Sequence, residues 1–279
     1  MLPSGSMQRG GRVIYEVPKS RADWELSEET MPESVWHDEA VALLKAILAW
    51  WATSQDSVQV ARNLAVRWDS ARPKVGLDPD VSVLHPRPPD GENLASLRTW
   101  LPGHLAPKLA IEVVSESNPN KDYAQAPDKY AASGTEELWI FDPQLAGPRA
   151  QGGPVRLQIW RRAEGSFVRE YAGEGPAWSS ALGAWAVVTE GGRLLRIASA
   201  ADGSGASPTD AEAQRKETET QRAEAEARRA EAEARRAEAE AQRVAKEAAL
   251  AAKEALAAEA DALRAQLRAA QAELAKRSG

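Results

Sequence analysis

Three pieces of this sequence carry residue types that can do chemistry together. Pro79-Asp80 heads the apolar segment "VSVL", Glu112 lies inside "LAIEVVSES", and the segment that follows holds Lys121, Asp122, Asp128 and Lys129. A carboxylate inside an apolar run is costly unless it is paired, hydrogen-bonded or bound to a metal. Two carboxylates on neighbouring strands can converge on a divalent cation such as Mg2+, which takes oxygen ligands and keeps several waters. Such a cation polarises a phosphodiester and lowers the pKa of a bound water. A nearby lysine can orient that water or stabilise the developing negative charge. The structural alternatives are a buried ion pair for Glu112 and a turn cap for Asp80.

The surrounding elements must bring these groups together. Apolar residues at Ala40, Leu43, Leu44, Ile47, Leu48 and Trp51 have helical spacing, which predicts an amphipathic helix over about 34–52 with Ser34 as its N-cap. "SVQVARNLAVRWD" alternates and predicts a strand with a break near Arg62; "LDPDVSVL" predicts a second, entered through Pro79. The proline- and glycine-rich stretch 86–107 predicts a surface loop with a short helical turn. "KLAIEVVS" is apolar on both faces and predicts a central strand. "SESNPNKDYAQAPDKYAASG" begins as a loop and becomes a helix capped by Gly134, with its regular part starting at about 127. "EELWIFDP" predicts a fourth strand, the segments around "LQIWRR" and "FVREYAG" a hairpin, and "PAWSSALGAWAVV" closes the globular part. Helix, three strands, helix, strand predicts an α/β sandwich with a mixed sheet.

Composition divides the chain. All 10 tryptophans lie between Trp24 and Trp185. Residues 211–279 hold 14 acidic and 14 basic side chains, so the net charge of −6 belongs to the globular part. That is not the signature of nucleic-acid binding by bulk charge. With no cysteine, disulfides and thiolate chemistry are excluded. "MLPSGSMQRGG" is too polar for a secretory signal, and "AVALLKAILAWW" is too short for a membrane span, so the expected setting is the cytoplasm without membrane contact. The expected organisation is a flexible lead-in over 1–30, a domain over 31–198, a small-residue linker over 199–210 and a helix over 211–279. That helix repeats "RRAEAEA", with an alanine seam at 223, 227, 230, 234, 237 and 241 and a leucine stripe at Leu256, Leu263, Leu267 and Leu274 in a shifted phase. A self-associating coiled coil, making a homodimer, is favoured over a solvated single helix.

The motifs resemble the PD-(D/E)XK nuclease superfamily, and within it the Uma-two-type restriction endonuclease family of bacteria. The residues that carry the resemblance are "DPDVSV", "SLRTWLPGHLAPKLAIEVVSES" and "KDYAQAPDKYAASGTEELWIFDP", in order, over roughly 35–190. It implies a restriction-endonuclease-like αβββαβ core and a Mg2+- or Mn2+-dependent endonuclease acting on DNA. It implies metal contacts from Asp80, Glu112 and the Val113 carbonyl. Val114 stands at the superfamily's lysine position, and Ala126 stands where the family usually supplies a replacement, four residues before Tyr130. Lys129 therefore ranks first as the catalytic lysine and Lys121 second. Asp122 matches a family position. His37 and Glu39 lie on the first helix, where relatives place a histidine and the superfamily an acid. Arg161 and Arg162 form a minor basic patch that can touch phosphate. The competing reading, motivated by Ala126, is a catalytically degenerate nuclease fold that serves as a scaffold and assembles through its tail.

Overall fold

The structure, a computed structural model, describes residues 13–26, 34–163 and 166–277. The chain divides into two compact units, residues 1–213 and 214–279. In the first unit, β1 (Val13–Glu16) precedes α1 (Val35–Ala52), followed by β2 (Gln59–Arg62), β3 (Ala65–Arg67) and β4 (Val81–Leu84). Then come β5 (Ser96–Arg98), β6 (Leu109–Val113), α2 (Ala126–Ser133) and β7 (Glu137–Phe141). The unit continues with β8 (Leu157–Ala163), β9 (Ser166–Gly173), β10 (Ala177–Ser179), β11 (Ala184–Thr189) and β12 (Leu194–Ala198). A single helix, α3 (Asp210–Arg277), begins at the end of this unit and makes up nearly all of the second.

Seven strands form one mixed sheet in the order β1-β9-β8-β7-β6-β4-β2. Its centre is the parallel pair β6–β7, flanked by antiparallel neighbours β4 and β8. The α/β sandwich and its αβββαβ core are as expected. β6 and β7 are buried along their whole length, which explains why they read as continuous apolar runs rather than alternating ones.

Side-chain alternation divides the core between the two faces of the sheet. Leu109, Ile111 and Val113 pack with Val41, Leu44, Ile47 and Leu48 of α1. Ala110 and Val114 pack with Ala126, Tyr130 and Ala131 of α2. Each fully buried aliphatic side chain on α1 contributes about 1.5–3 kcal/mol. The Ser34 side chain caps that helix by accepting from the His37 N–H at 3.2 Å.

Four features differ from the sequence reading. The strand expected over 58–68 is two strands in different sheets: Asn63, at φ 50°, turns the chain out of the main sheet, and β3 pairs in parallel with β5 inside the expected loop. Residues 13–26 are built into the fold rather than a lead-in. β1 pairs with β9, and Trp24 is buried against Trp68 at 6.3 Å between ring centroids. The rest of the expected lead-in, 1–12 and 27–30, lies outside the described residues, as does the hairpin tip at 164–165. The closing segment forms a separate sheet, β10-β11-β12, over α1. The helix after β6 opens earlier than 127, with a π-helical turn over Lys121–Gln125.

Among the described residues no helix is long and apolar enough to cross a membrane.

Candidate functional site

The site lies at the carboxyl end of the parallel pair β6–β7, the position where open α/β sheets present loops and helix starts to a ligand. The antiparallel register pairs Val81 with Ile111, which carries Asp80 alongside Glu112 and Val113. The Val113 N–H donates to Asp80 Oδ2 at 2.7 Å, so a backbone amide fixes the carboxylate. Asp80 is 6% exposed and Glu112 3%.

Glu112 projects from β6 towards α2. The Tyr130 hydroxyl donates to its Oε1 at 2.6 Å. Its other oxygen, Oε2, is buried and has no hydrogen-bond partner. Burial pushes Glu112 up to about 7; the Asp80 charge adds to the rise, while Lys121, the Tyr130 hydrogen bond and His37 oppose it. Burial, and then the Glu112 charge, hold Tyr130 well above its ordinary range, so it stays a donor.

His37 comes from the first turn of α1. Its Nε2 lies 2.8 Å from the Val113 carbonyl oxygen and 3.4 Å from Asp80 Oδ2. Glu39, two residues on, is exposed on another face of the helix and does not join the cluster.

The π-helical turn supplies Lys121, and α2, which continues it, supplies Lys129. The rotation of the turn is fixed by Tyr123, whose hydroxyl donates to Asp142 Oδ2 at 2.8 Å and accepts from the Val155 N–H at 2.9 Å. Gly147 and Gly153 leave room for that ring, because a Cβ at either would collide with it. Asp142 also accepts from the Ala146 and Gly147 N–H groups at 2.9 and 2.8 Å, which makes it a turn anchor.

Lys121 thus opens the helical segment beside the carboxylates, with its side chain still exposed. Glu112 exerts the strongest pull on its ammonium, with Asp122, Asp80 and Asp78 adding, and these outweigh partial burial to hold it above its ordinary range. Lys129 is pushed below its ordinary range, by burial first and by repulsion from Lys121 second; Glu112 pulls the other way more weakly. Asp122 is buried, and burial followed by the Glu112 charge raises it well above the usual carboxylate range.

The structure therefore gathers Asp80, Glu112, Val113, His37, Lys121 and Asp122, with Lys129 further from Glu112 in influence than Lys121. Val114 and Ala126 are both buried in the core on the α2 side. Among the described residues no three His, Asp or Glu side chains surround one metal-sized point, so a cation here would rely on two carboxylates and backbone oxygen. Two groups were not singled out for the site from sequence: Tyr130 as the donor to Glu112, and Asp78 within reach of both lysines. The signal for Tyr130 was its helical spacing on the buried face of α2.

The expected arginine patch is structural. Arg161 pairs with Glu137 at 3.5 Å and Glu170 at 2.6 Å. Arg162 donates to the Thr135 carbonyl at 3.2 Å and to that of Ala131, and lies over the Phe167 ring. Both side chains are thus engaged by groups of the fold itself. A concavity of about 210 Å³ lined by Trp51, His85, Lys108 and Leu182 contains none of the candidate residues.

Comparison with known proteins bears on this geometry. The Uma2 family model, described as "Putative restriction endonuclease", matches residues 17–151. Over that span the chain is similar to the Uma2 family. The Uma2 match takes in every residue gathered above, and it begins within the segment expected to be a flexible lead-in. A solved structure, described as a putative nuclease belonging to DUF820 from Anabaena variabilis, is 16% identical. The likeness covers 55% of this chain and 76% of that one, with a TM-score of 0.39. No curated protein matches significantly.

Proposed function

We propose that this Uma2-like domain is a nuclease that uses Mg2+ or Mn2+ to hydrolyse phosphodiester bonds in DNA, acting in the cytoplasm. One observation carries the proposal: Glu112 Oε2 is buried and unpartnered beside Asp80, facing a lysine-bearing turn. A structural acid would have its hydrogen bonds filled. The donors are hard oxygens, the set that suits these cations. Asp80, Glu112 and the Val113 carbonyl would hold the ion, and His37 supports Val113 and Asp80 from α1. When bound, the cation supplies Lewis-acid polarisation of a phosphoryl oxygen.

The remaining work falls to the chain's own groups. The Val113 N–H orients Asp80, and the Tyr130 hydroxyl orients Glu112. Lys121, ahead of Lys129, places a positive charge where negative charge develops on the phosphate. Hydrolysis forms a bond from a water oxygen to phosphorus and breaks one P–O ester bond, and the departing oxygen takes up a proton. The description of the matching family supports this class of reaction.

The scaffold reading keeps one specific observation: Ala126, buried on α2, occupies the position expected to carry the lysine. Incubating the purified full chain with plasmid DNA and Mg2+ or Mn2+ separates the two. The nuclease reading expects cleavage that Glu112→Gln reduces by at least about 100-fold. Absence of cleavage, or equal rates for the two proteins, favours the scaffold.

A further inference from the structure

The long helix α3 carries two seams with opposite charge surroundings. The alanine seam from Ala223 to Ala241 is flanked by Glu224, Glu231 and Glu238 on one side and by Glu226, Glu233 and Glu240 on the other. The arginines of the repeat, Arg228, Arg229, Arg235 and Arg236, lie on the outer face. Two copies laid seam to seam set glutamate against glutamate in every heptad, whether parallel or antiparallel. Alanine offers little apolar area to offset that repulsion.

The second seam is different. Leu256, Ala260, Leu263, Leu267 and Ala270 recur at alternating steps of four and three, which places them on one face. The three leucines are 66%, 58% and 60% exposed. The side chain of Leu274, which continues the stripe, lies outside the described residues. Two pairs flank this seam. Glu259 and Gln266 hold the position before the first core residue of each heptad, and Arg264 and Gln271 hold the position after the second. In a parallel, in-register pair these positions face one another across the seam, giving Glu259 to Arg264 of the second copy and Gln266 to Gln271, each twice. An antiparallel pair never brings Glu259 to Arg264. Arg264 is within reach of such an exchange: it now pairs with the exposed Asp261 on its own helix at 2.9 Å.

We infer that α3 docks a second copy of this chain through Leu256–Ala270, parallel and in register, and that the alanine segment 223–241 takes no part in the contact. The two globular units then leave the pair from the same end. This rests on α3 alone, and it stands or falls independently of the nuclease reading.

The absence of cysteine makes the test clean. Full-length Leu263→Cys, oxidised mildly and run without reductant, should appear as a disulfide-linked dimer. Ala234→Cys, on the alanine seam, should stay mostly monomeric. Light scattering of the unmodified chain should give twice its 30.1 kDa, falling to one chain mass in the Leu263→Asp, Leu267→Asp double variant. A Leu263→Cys protein that does not link, equal linking at 234 and 263, or a monomeric mass for the unmodified chain would each overturn the inference.

Discussion

Glu112 and Glu137 lie on adjacent parallel strands, both almost fully buried, and their surroundings are opposite. Glu137 faces the α1 side near the start of β7. It accepts from Trp139 Nε1 at 2.8 Å, the Ser179 hydroxyl at 2.5 Å, and the Ser180 and Ala181 N–H groups at 3.0 and 3.2 Å. Arg161 stands 3.5 Å away. Glu112 faces the α2 side near the end of β6, with one hydrogen bond and one orphaned oxygen. Burial alone therefore says little about a carboxylate. What separates the structural acid from the candidate ligand is how completely its lone pairs are filled.

The sharpest way to break this comparison is stability. Glu137→Ala removes the acceptor for four donors and leaves Arg161 without its inner partner, and should lower unfolding free energy by about 3–5 kcal/mol in denaturant titration. If the loss is small, Glu137 is not the structural acid its contacts describe.

Glu112 should behave with the opposite sign. Its folded-state value near 7 lies above the ordinary 4.5, so the folded protein binds that proton more tightly than the unfolded chain does. The ionised acid subtracts from stability above pH 7, by on the order of 3 kcal/mol, and the penalty fades as pH falls towards 4.5. Metal-free Glu112→Gln should be more stable than the unmodified protein at pH 8 and equal to it near pH 4.5. Thermal melts across that window check both halves. A loss of stability at pH 8 would place Glu112 with Glu137 instead.

A finer distinction separates the two lysines. Lys121→Met should reduce DNA cleavage by about 100-fold, while Lys129→Met should cost less than about tenfold. Equal losses would return Lys129 to equal standing.

Much of the positioning frame was readable because it is local. Ser34 caps α1, the α1 face shows its period, Gly134 takes the left-handed conformation that ends α2, and the apolar runs of β6 and β7 mark central strands. Asp80 and Glu112 could be paired from sequence because Asp80 heads one apolar segment and Glu112 lies inside the next. The nearness of Lys121 to Glu112 was not readable. It depends on a π-helical turn, a choice of backbone hydrogen bonding that side-chain spacing does not encode, locked by Tyr123 reaching Asp142 some 19 residues away. The pairing of β1 with β9 was hidden for a related reason: a four-residue edge strand has no pattern of its own until a distant partner supplies it.

The central claim, that Glu112 is placed to hold a cation and Glu137 is not, is tested most directly by calorimetric titration of Mn2+ at pH 8. The account predicts binding by the unmodified protein, loss of binding in Glu112→Gln, and unchanged binding in Glu137→Gln. Binding that survives Glu112→Gln, or no binding by the unmodified protein, would contradict it.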